Sequence, residues 1–149
     1  MSARVLRLEL AVHAHATEDE EAVVKALLNL IPPGLRGSAR VSRQRLRGHY
    51  MNPITRMTLS LEGKAAEEAL KWMGGLMSEG EKELLWMELG QRYDESSGRL
   101  YLRFSKQDAY LGRARLGAGD DVVRVVVVFR GSPSIREVEE KLRELGLLH

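Results

Sequence analysis

The 149-residue chain contains no cysteine. Disulfides, thiolate catalysis and zinc–thiolate sites are therefore excluded, and a reducing cytoplasm is the expected setting. No run of about 18 apolar residues occurs, so no transmembrane helix is expected. Residues 1–21 also lack the apolar core and small-residue cleavage site of a signal peptide. Three common catalytic or nucleotide-binding signatures are missing: the phosphate-cradling Gly-x-x-x-x-Gly-Lys-Ser/Thr loop, the Gly-x-Gly-x-x-Gly turn and the Gly-x-Ser-x-Gly elbow. Repeats, low-complexity tracts and linkers are absent too. Hydrophobic residues make up 44% and charged residues 30%, a mix that reads as one globular domain spanning 1–149.

Charge is unevenly placed. The net value is only +2, yet residues 31–56 hold six Arg and no acid, and residues 99–119 hold five basic residues and one acid. Between them, residues 57–98 hold four basic and nine acidic residues. Two basic segments inside an otherwise acidic chain point to a polyanion-binding face. Seventeen of the 23 basic residues are Arg, whose planar fork grips phosphate and stacks on bases.

Apolar periodicity gives the order βαββααβ(β)βα. Residues 4–14 alternate as a strand, with Leu6, Leu8, Leu10 and Val12 on one face. Thr17 to Glu20 has capping-box spacing and opens a helix that Pro32 and Pro33 end. Residues 38–48 read as a polar strand with one exposed face, on which Arg43, Arg45 and Arg47 share a parity. A loop at 48–53 leads to a partner strand carrying Met57, Leu59 and Leu61. Helices follow over 64–77 and from Ser78, the second opened by a capping box. Residues 99–104 alternate strictly, with Arg99, Tyr101 and Arg103 outward. A short helical or irregular link is expected at 106–111 and a brief strand at 113–116. The run Val125 to Val128 reads as a central strand covered on both faces. A third capping box, Ser134 to Glu137, opens the last helix. The fold class is α+β: a two-layer sandwich with a largely antiparallel sheet and helices packed on one face.

Chemistry concentrates in the basic segments. Arg40, Arg43, Arg45, Arg47 and Arg56 surround a loop bearing His49, Tyr50 and Asn52, joining phosphate-binding cations to groups that stack on or hydrogen-bond a base. The second segment offers Arg99, Tyr101, Arg103, Lys106, Gln107, Tyr110, Arg113 and Arg115. Tyr101 between two Arg suits stacking on unpaired bases. No pair of catalytic carboxylates is evident. His13 and His15 share a strand face and could hold a divalent metal with a third ligand, which would make a metal-dependent nuclease. Trp72, Met73, Trp86 and Met87 lie on the middle helices, as core or as the anchor of a protein-interaction adaptor.

The segment Gly48-His49-Tyr50-Met51-Asn52-Pro53-Ile54 resembles a loop signature of a small archaeal family of RNA-binding proteins, some of them described as exosome-associated subunits. His15 to Glu20, the segment 100–112 (LYLRFSKQDAYLG) and Gly119-Asp120-Asp121 before the valine run resemble further family segments in the same order. The likeness covers about residues 5–130. The family typically carries Gly where this chain has Met51. The resemblance implies a fold like that of the ribosomal protein that holds the small RNA of the large subunit. It implies RNA as partner, with exosome or ribosomal components as protein neighbours, and a non-enzymatic role without cofactor or metal. Oligomeric state stays open, a homodimer included.

Overall fold

Burial that alternates from Leu8 onward marks β1 (Val5–His15) as a strand whose Leu8, Leu10, Val12 and Ala14 are buried while His15 is exposed. The computed structural model describes residues 3–149, and the side chain of His49 lies outside that description. After β1 come α1 (Glu20–Asn29), the four-residue α2 (Pro33–Arg36) and the hairpin of β2 (Ser42–Arg47) and β3 (Pro53–Glu62). Then follow α3 (Gly63–Leu76), α4 (Glu79–Arg92), the two-residue β4 (Tyr93–Asp94), β5 (Arg99–Ser105), α5 (Lys106–Tyr110), β6 (Val122–Phe129) and α6 (Ile135–Leu145).

The six strands form one sheet in the order β2-β3-β1-β6-β5-β4, and every neighbouring pair is antiparallel. Leu8 and Leu10 of β1, Met57 of β3, Val125 of β6 and Phe104 of β5 join one hydrophobic cluster with Leu27 of α1, Leu70 of α3, Leu85 of α4 and Leu142 of α6. The helices therefore share one side of the sheet, as expected of a two-layer α+β fold. Truncating a fully buried leucine such as Leu70 costs about 2–5 kcal/mol.

Helix starts follow capping chemistry, with two differences from expectation. Asp19, not Thr17, caps α1 by accepting the Glu21 N–H at 3.1 Å. Ser78 caps α4, but Glu81 does not reach back. Its carboxylate instead accepts the Leu116 N–H at 2.8 Å. Among the described residues, only Ser134 and Glu137 close a reciprocal box, at α6.

Four sequence expectations change. A register shift between Val5 and Arg7 buries Val5 and leaves Leu6, expected on the face of Leu8, 42% exposed. The valine strand β6 is covered by helices on one side only. Val123, Val125 and Val127 are buried there, whereas Arg124 on the opposite side is exposed. The polar strand is shorter than 38–48, and as an edge strand β2 is largely exposed on both faces. Residues 113–116 make a single bridge, Phe104 to Leu116, and no strand.

Candidate nucleic-acid interface

Residues opposite each other in antiparallel strands project from the same side of a sheet. On the side away from the helices, one row runs Gln44, Arg56, His13. The next runs Ser42, Thr58, Ala11, Arg124, Arg103. A third runs Ser60, Glu9, Val126, Tyr101, and a fourth Glu62, Arg7, Val128, Arg99. Arg56, Arg103, Arg124 and Tyr101 are exposed. Arg40, in the loop before β2, joins Arg56 and Arg124 around a cavity of about 540 Å³.

The face is electrostatically unbalanced. Arg103 stands directly opposite Arg124, a like-charge pairing that destabilises a sheet. Arg124 has one acid nearby, Asp120 at 3.8 Å, and Asp120 is 93% exposed. Arg56 and Arg103 have no ion-pair partner among the described residues. Partial burial, then Arg124 and Arg56, then His15 and Lys106, hold the His13 imidazole below its usual value of 6.5. A divalent ion would meet the same repulsion. Among the described residues, no group of three His, Asp or Glu side chains converges to hold a metal.

The other predicted residues are placed differently. Arg43 and Arg45 lie in register with Met57 and Thr55, so they point to the helical side. Arg43 meets Glu20 and Glu21 of α1 at 3.2 and 3.3 Å, and Arg45 meets Glu20 at 3.4 Å. Lys106 is 3% exposed. Its Nζ donates to the His13 carbonyl at 2.8 Å and to Glu18 at 2.9 Å, and Asp121 lies 3.2 Å away. It is thus a structural cation tying α5 to the end of β1. Burial pushes the Glu18 carboxyl up, but the His15 N–H and the Lys106 ammonium outweigh it and hold the group below its usual value. Gln107 faces Asp121 at 3.4 Å, and the Tyr110 ring receives the Lys25 ammonium at 4.7 Å. Arg113 pairs with Asp108 at 3.2 Å, and Arg115 approaches Glu81 at 3.9 Å.

Arg47, Tyr50 and Asn52 cluster at the tip of the β2–β3 hairpin. Gly48 N–H donates to Asn52 O at 2.8 Å, and a Cβ at Gly48 would collide with the Ile54 side chain. Tyr50 and Met51 both adopt left-handed backbone, φ 58° and 65°. That region strains residues other than glycine, which accounts for the Gly expected at position 51. Tyr50 is 94% exposed. The side chain of His49, expected to join this tip, lies outside the described residues.

The structure thus brings Arg40, Arg56, Arg99, Tyr101 and Arg103 onto one face and adds two residues not singled out for it. His13 was considered only as a metal ligand. Arg124 was hidden in the valine run, although its parity against Val123 and Val125 marked it as outward. On the helical side, Met73 is buried and Trp72 Nε1 donates to Asn29 O at 2.9 Å, so both serve packing. Trp86 is half-exposed, bonded to Glu139 at 2.8 Å, and Met87 is exposed. No helix among the described residues is long and apolar enough to cross a membrane.

An antiparallel sheet backed by helices on one side, with arginines and an exposed tyrosine on the other, has the chemistry that suits nucleic acid on a sheet surface. Comparison with known proteins narrows this class. The chain belongs to the RNA-binding family, whose model matches residues 7–129, a span holding the whole sheet apart from the first two residues of β1. It is 30% identical over 139 residues, 93% of either chain, to an uncharacterized protein of Methanocaldococcus jannaschii. It is 29% identical over 136 residues to an RNA-binding protein of Pyrococcus abyssi, covering 90% of this chain and 88% of that one. The crystal structure of a protein from Archaeoglobus fulgidus matches with a TM-score of 0.78 at 29% identity, over 95% of this chain and 99% of that one. All three relatives are archaeal.

Proposed function

We propose that the protein is a non-enzymatic module that lays single-stranded RNA across the open face of its sheet. Phosphates run along Arg40, Arg56, Arg124 and Arg103, and an unpaired base stacks on Tyr101. The hairpin tip, with Arg47, Tyr50 and Asn52, extends the contact beyond the sheet. An accessory role in RNA processing or ribosome maturation is the setting we assign, following the family resemblance.

The observation that carries the reading is the direct opposition of Arg103 and Arg124 beside Arg56 and His13. Such crowding weakens the free protein. A bound polyanion reverses its sign, because every phosphate then meets cations that were repelling each other. Arg43 and Arg45 give the contrast, since acids of α1 already neutralise them.

The test is fluorescence anisotropy with labelled single-stranded RNA over a salt series. The Arg56/Arg103/Arg124→Ala variant should lose about three units of log–log salt slope and about 100-fold in affinity at low salt. Unchanged slope and affinity would remove the open face from RNA binding. Arg43/Arg45→Ala is the control and should change the slope by less than about one.

A further inference from the structure

We infer that the cavity on the open face is a pocket for one guanine of the bound strand, with the Glu9 carboxylate reading its edge. This inference rests on the RNA-binding reading above and deepens it.

The cavity, about 540 Å³, lies within the range of about 300–1,000 Å³ that holds small ligands. Its floor is made of short side chains, Ala11, Thr58 and Ser60, with Val126 beside them. Arg40, Arg56 and Arg124 bring positive charge, which suits the phosphate and ribose side of a nucleotide. Glu9 is the one acid among the described residues that line it.

A carboxylate inside a phosphate-binding face adds repulsion toward the polyanion, which Arg7 offsets in part and donors from the same ligand offset further. Glu9 is held in place, since its Oε2 accepts from Arg7 Nε at 2.7 Å. The carboxylate retains lone pairs for further donors. Guanine presents two adjacent N–H donors on its Watson–Crick edge, N1–H and the N2 amino group. Adenine, cytosine and uracil each present one donor group beside an acceptor. Only guanine can engage both oxygens of a fixed carboxylate at once.

Register supplies a second support. Glu9, Val126 and Tyr101 share one row. Two strand spacings place the Glu9 and Tyr101 backbones about 10 Å apart. The base after the guanine can therefore reach the exposed Tyr101 ring while the guanine occupies the cavity.

The experiment uses labelled oligouridine of about twelve nucleotides, a typical site size. One central position is varied among uridine, adenosine, cytidine, guanosine and inosine, and a single guanosine keeps quadruplexes out of the assay. Guanosine should bind about tenfold tighter than the other standard bases, the discrimination of one bidentate pair. Inosine lacks the N2 amino group and should lose most of that gain. Glu9→Ala should abolish the preference while binding plain oligouridine as well as, or better than, the unaltered protein. That plain binding also reports the variant's fold. Equal affinity for all bases, or a guanosine preference surviving in Glu9→Ala, would overturn the pocket while leaving RNA binding intact. Absence of binding to every oligonucleotide at low salt would overturn the RNA reading itself.

Discussion

Arg43 and Arg45 leave β2 toward the helical layer, while Arg56 leaves the adjoining strand toward the open face. The first two meet Glu20 and Glu21 at the start of α1. Those same acids favour the positive end of that helix, so the contact serves the helix as well. Arg56 meets His13 across the strand pair and Gln44 on its other side. One position of strand parity separates a neutralised arginine from an available one. Cation density along a chain therefore says little about polyanion binding until register assigns each cation a face.

The contrast can be broken most strongly at its centre. Arg124→Glu puts a carboxylate amid the open-face cations and should weaken RNA binding on the order of 100-fold, since it removes a phosphate contact and adds repulsion. Arg45→Glu on the other side should change affinity by less than about threefold. Direct titration of both variants decides the ranking. Tyr101→Ala should lower affinity about tenfold with an unchanged salt slope, because stacking contributes about 1–3 kcal/mol without releasing counterions. A changed slope would mean that Tyr101 positions a cation.

The comparison can also be sharpened by freeing the hidden cations. Glu20→Gln with Glu21→Gln should raise RNA affinity a few-fold, while α1 loses less than about 1 kcal/mol. Thermal melting beside the binding titration separates the two effects. The smallest effect is that of pH. The His13 pKa is depressed in the folded chain, so below pH 6.5 the unfolded chain takes up a proton first. Stability should then fall slightly between that pH and the folded value. Bound phosphate favours the imidazolium, so RNA affinity should rise over the same window. His13→Gln should flatten both trends, read by melting and anisotropy at several pH values.

The layer architecture was legible because β3 and β5 alternate cleanly, β1 does so from Leu8 onward, and α3 and α6 carry regular apolar stripes. Local pattern did not reveal which side of each strand faced the helices. Arg43, Arg45 and Arg47 share a parity on paper, but only pairing with β3 showed that parity to be the helical one. Lys106 looked like one more surface cation, and its burial depends on Glu18, 88 residues away in sequence. Arg124 was masked by hydrophobic neighbours whose abundance suggested a second covering layer. The faces of Arg43 and Arg45 and the burial of Lys106 are long-range relations that neighbouring residues do not encode, whereas the outward parity of Arg124 was written locally.

The central strand carries a consequence for biosynthesis. β1 finds β3 on one edge about fifty residues later, but its other edge pairs with β6, more than a hundred residues downstream. A growing chain can assemble β1 with the β2–β3 hairpin early, while the second edge of β1 stays bare until the valine strand emerges. Loop closure of that length slows folding and leaves an apolar edge open to mispairing. A chain released before residue 122 would keep that edge exposed, so quality control during synthesis falls on the last strand to appear.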